Sequence, residues 1–197
     1  FTVGLLHALN AFRGQHSSCE RLALDACHIE INCCGEPIGK QDQYASAYGG
    51  FNLFQFNADD SVVVKPIIWD KSTSNLLQDR ILMFYTGKTR SASSLLRKQI
   101  DAVSNSVDKQ NIMHRMVRLA YELTDELQRN NLDSFGEILN EGWSLKKSLG
   151  ADVSNPEIDE WYEAAKNAGA LGGRILGAGA GGFLMLYAHE QDHARIT

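Results

Sequence analysis

The sequence lacks an excess of basic residues, a long apolar run and a Cys-x-x-Cys pair. It has 19 lysines and arginines against 24 acidic residues, for a formal charge of −5. Nucleic acids and anionic membranes need a basic face, so we expect neither as a main partner. No apolar run approaches the roughly 20 residues of a membrane helix, and the first residues lack the basic start and cleavage site of a signal peptide. We therefore expect a cytoplasmic protein.

Cysteine is scarce and clustered. The four cysteines are Cys19, Cys27, Cys33 and Cys34. Adjacent Cys33 and Cys34 would form a disulfide only with strain, and the spacing is not that of a zinc site. We expect reduced, mostly buried thiols and no zinc.

The composition is that of a globular protein with a sizeable core. The chain has 197 residues, of which 44% are hydrophobic and 22% charged, which is ordinary for a water-exposed globular domain. This length allows one large or two small domains.

Apolar periodicity predicts an order of helices and strands. Helices are expected over about 1–13, from a Ser17 capping box to about 31, over some sixty residues from Ser91 with a break at Asn130–Asn131, and from Ser154 to near Gly169. Strands are expected over 51–56, 62–64, 80–85 and 183–187. The stretch 71–79 reads as a polar connection, and we place a domain boundary there, giving domains 1–79 and 80–197. The stripe Met113, Met116, Val117, Ala120, Leu123 and Leu127 is predicted to face a core.

The stretch from Pro37 to Gly50 presents one carboxylate, Asp42, between two amides. Pro37 and Gly39 fix a turn in the entering backbone, so the acid is held at a defined angle. A carboxylate in hydrogen bonds with glutamine side chains can accept the proton of a hydroxyl that attacks phosphorus. The same residue types also make ordinary turns, and that alternative stays open.

Glu30 ends the second predicted helix, twelve residues before Asp42. The helix macrodipole disfavours an anion at this end, so the carboxylate invites a compensating cation. A solvated surface glutamate is the alternative.

The segment from Thr86 to Ser91 follows a strand and ends like a phosphate-binding P-loop. A P-loop needs a glycine five positions before its Gly-Lys pair, and Leu82 occupies that position, which excludes this type of site. A helix N-terminus with Lys88 and Arg90 beside free amides remains a candidate anion site, and an exposed loop is the alternative.

The segment from Gly172 to Tyr187 is rich in glycine. Gly177, Gly179 and Gly182 formally match Gly-x-Gly-x-x-Gly, but a strand follows them where a dinucleotide-binding fold has a helix. Bare backbone can approach an anion or another main chain closely. A hairpin that needs glycine only for tight packing is the alternative.

The string Gly-x-Gln-Asp-Gln-Tyr-Ala-x-x-Tyr-Gly-Gly around Asp42 and the glycine-rich string from Gly172 resemble the GHMP small-molecule kinases. The likeness runs along nearly the whole chain and is strongest to the sugar-kinase branch that contains the heptose 7-phosphate kinases. It implies an α+β architecture: the rest of an N-terminal nucleotide-binding domain, then a ferredoxin-like split βαβ domain with additional helices. It also implies that the chain begins inside a helix after a Ser-rich phosphate loop, is clipped at both ends, and is inactive as a fragment.

The resemblance implies ATP-dependent phosphorylation of a sugar, with the anomeric hydroxyl of heptose 7-phosphate as the leading acceptor. Galactokinase or fucokinase activity and a non-catalytic sensor are the alternatives, and a homodimer is left open. ATP and Mg²⁺ are the implied cofactors. The resemblance implies that Asp42 orients or deprotonates the acceptor hydroxyl and that Glu30 binds Mg²⁺. It also implies an acceptor site of Gly39, Gln41, Gln43, Lys88 and Arg90, and a glycine loop of Gly177, Gly179, Gly181 and Gly182 over the active site.

Overall fold

The computed structural model describes residues 1–88, 92–150, 152–177, 179 and 181–197, with backbone alone for 92–95. The chain divides into two compact units, Phe1–Ile67 and Ile68–Thr197. Helices and short antiparallel sheets occur in separate stretches, so the predicted α+β class is confirmed. The predicted domain limits at residue 79 concern the family's domains and stay a prediction.

Unit 1 consists of three helices and a β-hairpin. Its elements are α1 (Thr2–Phe12), α2 (Cys19–Cys27), a π-helical turn (His28–Cys33), α3 (Gln41–Tyr48), β1 (Asn52–Phe56) and β2 (Val62–Pro66). Both strands pair antiparallel, with Phe54 opposite Val64. Tyr44 of α3 is buried against Ala23 and Cys27 of α2, so the core of this unit holds α3 in place.

The start of α2 differs by one residue from the prediction. Ser18 is the N-cap, and its hydroxyl accepts a hydrogen bond from the backbone N–H of Arg21 at 3.1 Å. Ser17 instead accepts a hydrogen bond from the Asn10 amide at 2.7 Å. Two consecutive serines offer the same cap chemistry, and only the backbone turn decides which one is used.

Unit 2 packs helices on a three-stranded antiparallel sheet. Its strands are β3 (Ile81–Tyr85), β4 (Gly172–Leu176) and β5 (Phe183–Tyr187), in the spatial order β3-β5-β4. Its helices are α4 (Lys71–Asp79), α5 (Ala92–Ser104), α6 (Val107–Gln128), α7 (Phe135–Leu149), α8 (Pro156–Asn167), a 3₁₀ turn (Glu190–Asp192) and α9 (His193–Ile196). The core joins α7 and α8 to one sheet face through Trp143, Ile158, Tyr162, Ile175, Leu184 and Leu186.

Helix α4 replaces the expected polar connection. Its sequence is mostly polar, and only Thr73 and Leu77 are buried. A single buried i, i+4 pair is too weak a pattern to separate a short surface helix from a loop. The predicted stripe on α6 is also partly wrong, because Met113 and Val117 are exposed while Leu119 is buried.

Helix α7 lies against β4 through two glycines. A Cβ atom on Gly172 would lie 1.9 Å from the carbonyl oxygen of Gly136. Backbone therefore meets backbone at this contact, and no side chain fits between them. The contact fixes the start of α7 beside the start of β4.

All four thiols are free, as predicted, but they are not mostly buried. Cys27 is buried and Cys19, Cys33 and Cys34 are exposed. The exposed cysteines stand at the start of α2 and at the end of the π-helical turn, away from the apolar face of the helix. Among the described helices, none is both long and apolar enough to cross a membrane.

Candidate active site

Glu30 and Gln43 contact each other in unit 1. The Nε2 amide of Gln43, on α3, donates a hydrogen bond to Oε2 of Glu30, on the π-helical turn. Gln43 is buried, so this contact holds the Glu30 carboxylate in a fixed position. A compensating cation was expected at Glu30, and the contact that the structure shows there is with the neutral amide of Gln43.

One oxygen beside this contact has no donor in the described part of the chain. Oε1 of Gln43 is buried without a hydrogen-bond partner. A buried acceptor left without a donor costs roughly 1–3 kcal/mol. An oxygen-rich corner of this kind suits a hard cation such as Mg²⁺, which takes one or two protein carboxylates plus substrate phosphates. The described residues contain no cluster of three or more His, Cys, Asp or Glu that could hold a metal.

Asp42 lies in the first turn of α3, next to Gln43. It is exposed, and the helix N-terminus stabilises its negative charge. We expected Gln41 and Gln43 to hold Asp42 by hydrogen bonds. Gln43 instead binds Glu30, and Gln41 is exposed at the helix start, so the two carboxylates differ: one is anchored and the other is accessible.

The turn before α3 is held by Lys40. Its ammonium lies 2.5 Å from Oδ1 of Asp60, in the turn between β1 and β2. This hydrogen bond raises the pKa of Lys40. Gly39 precedes it, is exposed and has open space around its α-carbon. The turn that presents Asp42 is thus tied to the hairpin of the same unit.

The glycine loop of unit 2 joins β4 to β5 and packs against the end of β3. The backbone N–H of Gly182 donates to Lys88 O at 2.9 Å, and the N–H of Thr86 donates to Gly182 O at 2.9 Å. A Cβ atom on Gly181 would lie 2.7 Å from Lys88 O, and one on Gly179 would lie 2.7 Å from Val153 O. Tight packing therefore requires glycine at these two positions.

Of the two cations predicted for the acceptor site, Lys88 and Arg90, the structure describes only Lys88. The ammonium of Lys88 forms an ion pair with Glu157 at the start of α8. The predicted role of Arg90 lies outside the described residues. Sequence reasoning could not see the partner of Lys88, because 69 positions separate the two residues.

Two further cations stand beside the glycine loop. Lys146, near the end of α7, donates from Nζ to Gly177 O at 2.9 Å. Burial, and then repulsion by Arg174 of β4, lowers the pKa of Lys146 to about 8. Burial also lowers the pKa of Arg174. The contact spans 31 positions, and no local sequence pattern signals it.

An open groove of about 480 Å³ between α6 and α7 contains none of the predicted site residues. Acidic side chains dominate its lining, among them Glu122, Asp125, Glu126, Glu137 and Glu141. Such a lining repels phosphate groups, so the groove is not where we expect a nucleotide or a sugar phosphate to bind.

The two units, each taken by itself, supply three kinds of group. Unit 1 offers an anchored carboxylate with a neighbouring orphan oxygen for a hard cation, and an accessible carboxylate that can take a proton. Unit 2 offers bare backbone with two cations beside it, which suits an anion. These are the groups that phosphoryl transfer uses for metal binding, acceptor activation and charge stabilisation.

Comparisons with known proteins agree with this inventory. Residues 123–196 match the family described as GHMP kinases C terminal. The chain is 31% identical over 162 residues to D-glycero-alpha-D-manno-heptose 7-phosphate kinase of Campylobacter jejuni, covering 82% of this chain and 48% of that protein. It is 28% identical over 159 residues to L-fucokinase/L-fucose-1-P guanylyltransferase of Bacteroides fragilis, covering 79% of this chain and 17% of that protein.

The chain is also similar to a solved structure of a heptose kinase. The D-glycero-D-manno-heptose 1-phosphate kinase from Bacteroides thetaiotaomicron superposes with a TM-score of 0.72 at 25% identity, over 98% of this chain and 52% of that one. The chain thus spans about half the length of the heptose kinases that it matches. It belongs to the GHMP kinase family and carries the family's C-terminal domain over residues 123–196.

Proposed function

We propose that the protein is an ATP-dependent sugar kinase that phosphorylates the anomeric hydroxyl of D-glycero-D-manno-heptose 7-phosphate. The 31% identity to a heptose 7-phosphate kinase supports the substrate class. The observation that carries the proposal is the contact of Gln43 with Glu30, directly beside the exposed Asp42. Because of this contact the Glu30 carboxylate is held in place, as a metal ligand requires, while the Asp42 carboxylate stays free to accept a proton.

Asp42 is the proposed general base. Its carboxylate accepts the proton of the acceptor hydroxyl as that oxygen attacks the γ-phosphorus of ATP, and the bond between the γ-phosphorus and its bridging oxygen breaks. Asp42 lies in the first turn of α3. Its exposure lets an acceptor reach it.

Glu30 is the proposed Mg²⁺ ligand, with Oε1 of Gln43 as a second oxygen. Bound Mg²⁺ would neutralise charge on the β- and γ-phosphates. The amide of Gln43 restrains the Glu30 carboxylate, which fixes the direction of its free oxygen. Gly177, Gly179, Gly181 and Gly182 are the proposed nucleotide-binding glycines, and Gly39 and Gln41 the proposed acceptor contacts.

The test compares Asp42→Asn with Asp108→Asn in the purified full-length protein. Asp108 is also an exposed acid in the first turn of a helix, α6, so both variants lose the same dipole interaction. We expect Asp42→Asn to lower kcat roughly 10²- to 10⁴-fold, as for a lost general base, with the KM for ATP nearly unchanged. Asp108→Asn should retain full activity. Unchanged turnover of Asp42→Asn would overturn the assignment.

A fucokinase-type activity is the second candidate. The ion pair of Lys88 with Glu157 neutralises one of the cations predicted for the acceptor's own phosphate, which favours an unphosphorylated sugar. ADP release should be measured with heptose 7-phosphate, fucose and galactose at equal concentrations. A preference for heptose 7-phosphate supports the first proposal, and a preference for fucose supports the second. Binding of sugar and ATP without any ADP release would identify a sensor.

A further inference from the structure

The cations near the glycine loop fall into two groups. Lys88 is paired with Glu157, Lys98 with Asp152 at 2.7 Å, and Lys147 with Asp159 at 3.1 Å. Lys146 and Arg174 have no carboxylate partner among the described residues. Lys146 and Arg174 therefore bring two positive charges that lack a carboxylate partner to the point where β4 ends.

Arg174 needs a counter-ion more than Lys146 does. Its side chain is mostly buried, and Nε has no hydrogen-bond partner in the described part of the chain. A buried guanidinium without a counter-ion is destabilising, because its desolvation is not offset by an attraction. Such an arrangement persists where an anion completes it.

Lys146 adds a second cation at the same point. Its contact with Gly177 O uses one of the three N–H groups of the ammonium. Burial and Arg174 both disfavour its charged form, and a bound anion would reverse this effect. The two side chains repel each other in the absence of an anion and cooperate in its presence.

The backbone at Gly177 leaves space for a ligand. It is exposed, has a φ of +90°, and a Cβ atom added to it would meet nothing within 4 Å. The packing that demands glycine at Gly179 and Gly181 is thus absent here. A ligand can approach the backbone of Gly177 without a steric obstacle.

We propose that Lys146 and Arg174 form a phosphate-binding site beside Gly177. A phosphate monoester carries close to two negative charges at neutral pH, which matches two cations. The guanidinium fork of arginine binds two phosphate oxygens at once, while lysine binds as a point charge. The site binds a phosphate as such, and only the carrier of that phosphate, acceptor sugar or nucleotide, rests on the proposed kinase function.

Binding is tested first without catalysis. The probe is inorganic phosphate, added to the full-length protein at constant ionic strength with chloride as the balancing anion, and the readout is the shift of the thermal midpoint. We expect phosphate to stabilise the wild-type protein and the Lys147→Met control. Lys146→Met and Arg174→Lys should need roughly 10- to 100-fold more phosphate for the same shift, the range for one lost charge-assisted hydrogen bond.

Arg174 lies in a sheet strand, so a fold control is needed. Circular dichroism should match the wild-type protein before a variant is used. If Arg174→Lys does not fold, Lys146→Met and Lys146→Glu carry the test, since Lys146 lies at a helix end, and the second variant should abolish the shift. Equal phosphate response in wild type, Lys146→Met and Lys146→Glu would overturn the proposal.

Kinetics then identify the carrier of the phosphate. A rise in the KM for heptose 7-phosphate but not for ATP in Lys146→Met assigns the site to the acceptor's phosphate; the opposite pattern assigns it to the nucleotide. If the wild-type protein has no kinase activity but loses its phosphate response in Lys146→Met, the phosphate site stands and the proposed function fails. If the kinase is active and neither KM nor phosphate response changes, the site is refuted and the function stands.

Discussion

The contact between α7 and β4 leads to a specific stability prediction, Gly172→Ala. A methyl group on Gly172 would lie 1.9 Å from Gly136 O and 3.0 Å from the backbone nitrogen of Asn140. Atoms in ordinary contact stand about 3.5–4.0 Å apart, so the helix and the strand would have to separate by more than 1 Å. Both obstacles are backbone atoms, and no rotamer change relieves the clash.

The cost follows from overpacking. Extra carbon in a well-packed core costs about 1–3 kcal/mol, and more where backbone must move. We expect Gly172→Ala at the upper end, near 3 kcal/mol. For a chain of this size each kcal/mol shifts the midpoint by about 2–4 °C, so Tm should fall by roughly 6–12 °C. The φ of Gly172 is not in the left-handed region, which leaves sterics as the main cause.

Gly142→Ala on the same helix is the matched control. A Cβ atom there would lie 3.9 Å from Cδ1 of Leu119, an ordinary contact. Replacing a glycine inside a helix by alanine gains up to about 1 kcal/mol, so this variant should be as stable as wild type or more so. Urea unfolding at constant m-value measures both. A Gly172→Ala protein as stable as wild type would refute the close approach of α7 to β4.

Three further predictions concern the site and the thiols. Gln43→Leu should raise the Mg²⁺ concentration for half-maximal kinase rate roughly 10- to 100-fold, the effect of losing a residue that orients a metal ligand, whereas exposed Gln78→Leu should not. Lys146 has a folded pKa of about 8, below the 10.4 of an unfolded lysine. The folded state therefore loses this proton first, and wild-type stability should rise relative to Lys146→Met between about pH 8 and pH 10; a pH-independent difference in urea midpoints contradicts this. Under native conditions iodoacetamide should label Cys19, Cys33 and Cys34 but not Cys27, whose pKa burial raises; mass spectrometry counting four adducts before unfolding would be the opposite result.

Much of the fold was predictable because its signals are local. Alternating residues located β1, and short apolar runs located β2, β3 and β5. The Asn155-Pro156 start of α8 is a cap signal that the structure uses, because the side chain of Asn155 accepts a hydrogen bond from the N–H of Ile158 at 3.0 Å. The predictions that failed concern segments with a weak apolar pattern or side chains whose exposure depends on residues distant in the sequence. Helix α4 buries only two side chains, and the exposure of Met113 depends on which neighbours cover α6 rather than on spacing along it.

In the candidate site, too, the features that could not be predicted depend on contacts between distant residues. Asp42 lies in helix α3, which was not predicted from the sequence, and the partners of its neighbours could not be predicted either. Gln43 was expected to serve the acceptor, but its buried amide binds Glu30, 13 positions away. Lys88 was expected to hold a phosphate, but its ion pair with Glu157 depends on the packing of α8 beside the end of β3. Side-chain partners of this kind are set by tertiary packing, after the local pattern has fixed the elements.

The glycine motif shows why residue type alone cannot separate packing from binding. Gly179 and Gly181 face backbone carbonyls at 2.7 Å, measured from the position of an added Cβ atom, so packing explains them without a ligand. Gly177 has no such neighbour, although its φ of +90° still favours glycine. Since Gly177 is also the glycine whose carbonyl binds Lys146, the anion-binding interpretation of the motif depends on this position. A glycine-rich loop can therefore be a packing device along most of its length and a ligand site at one end.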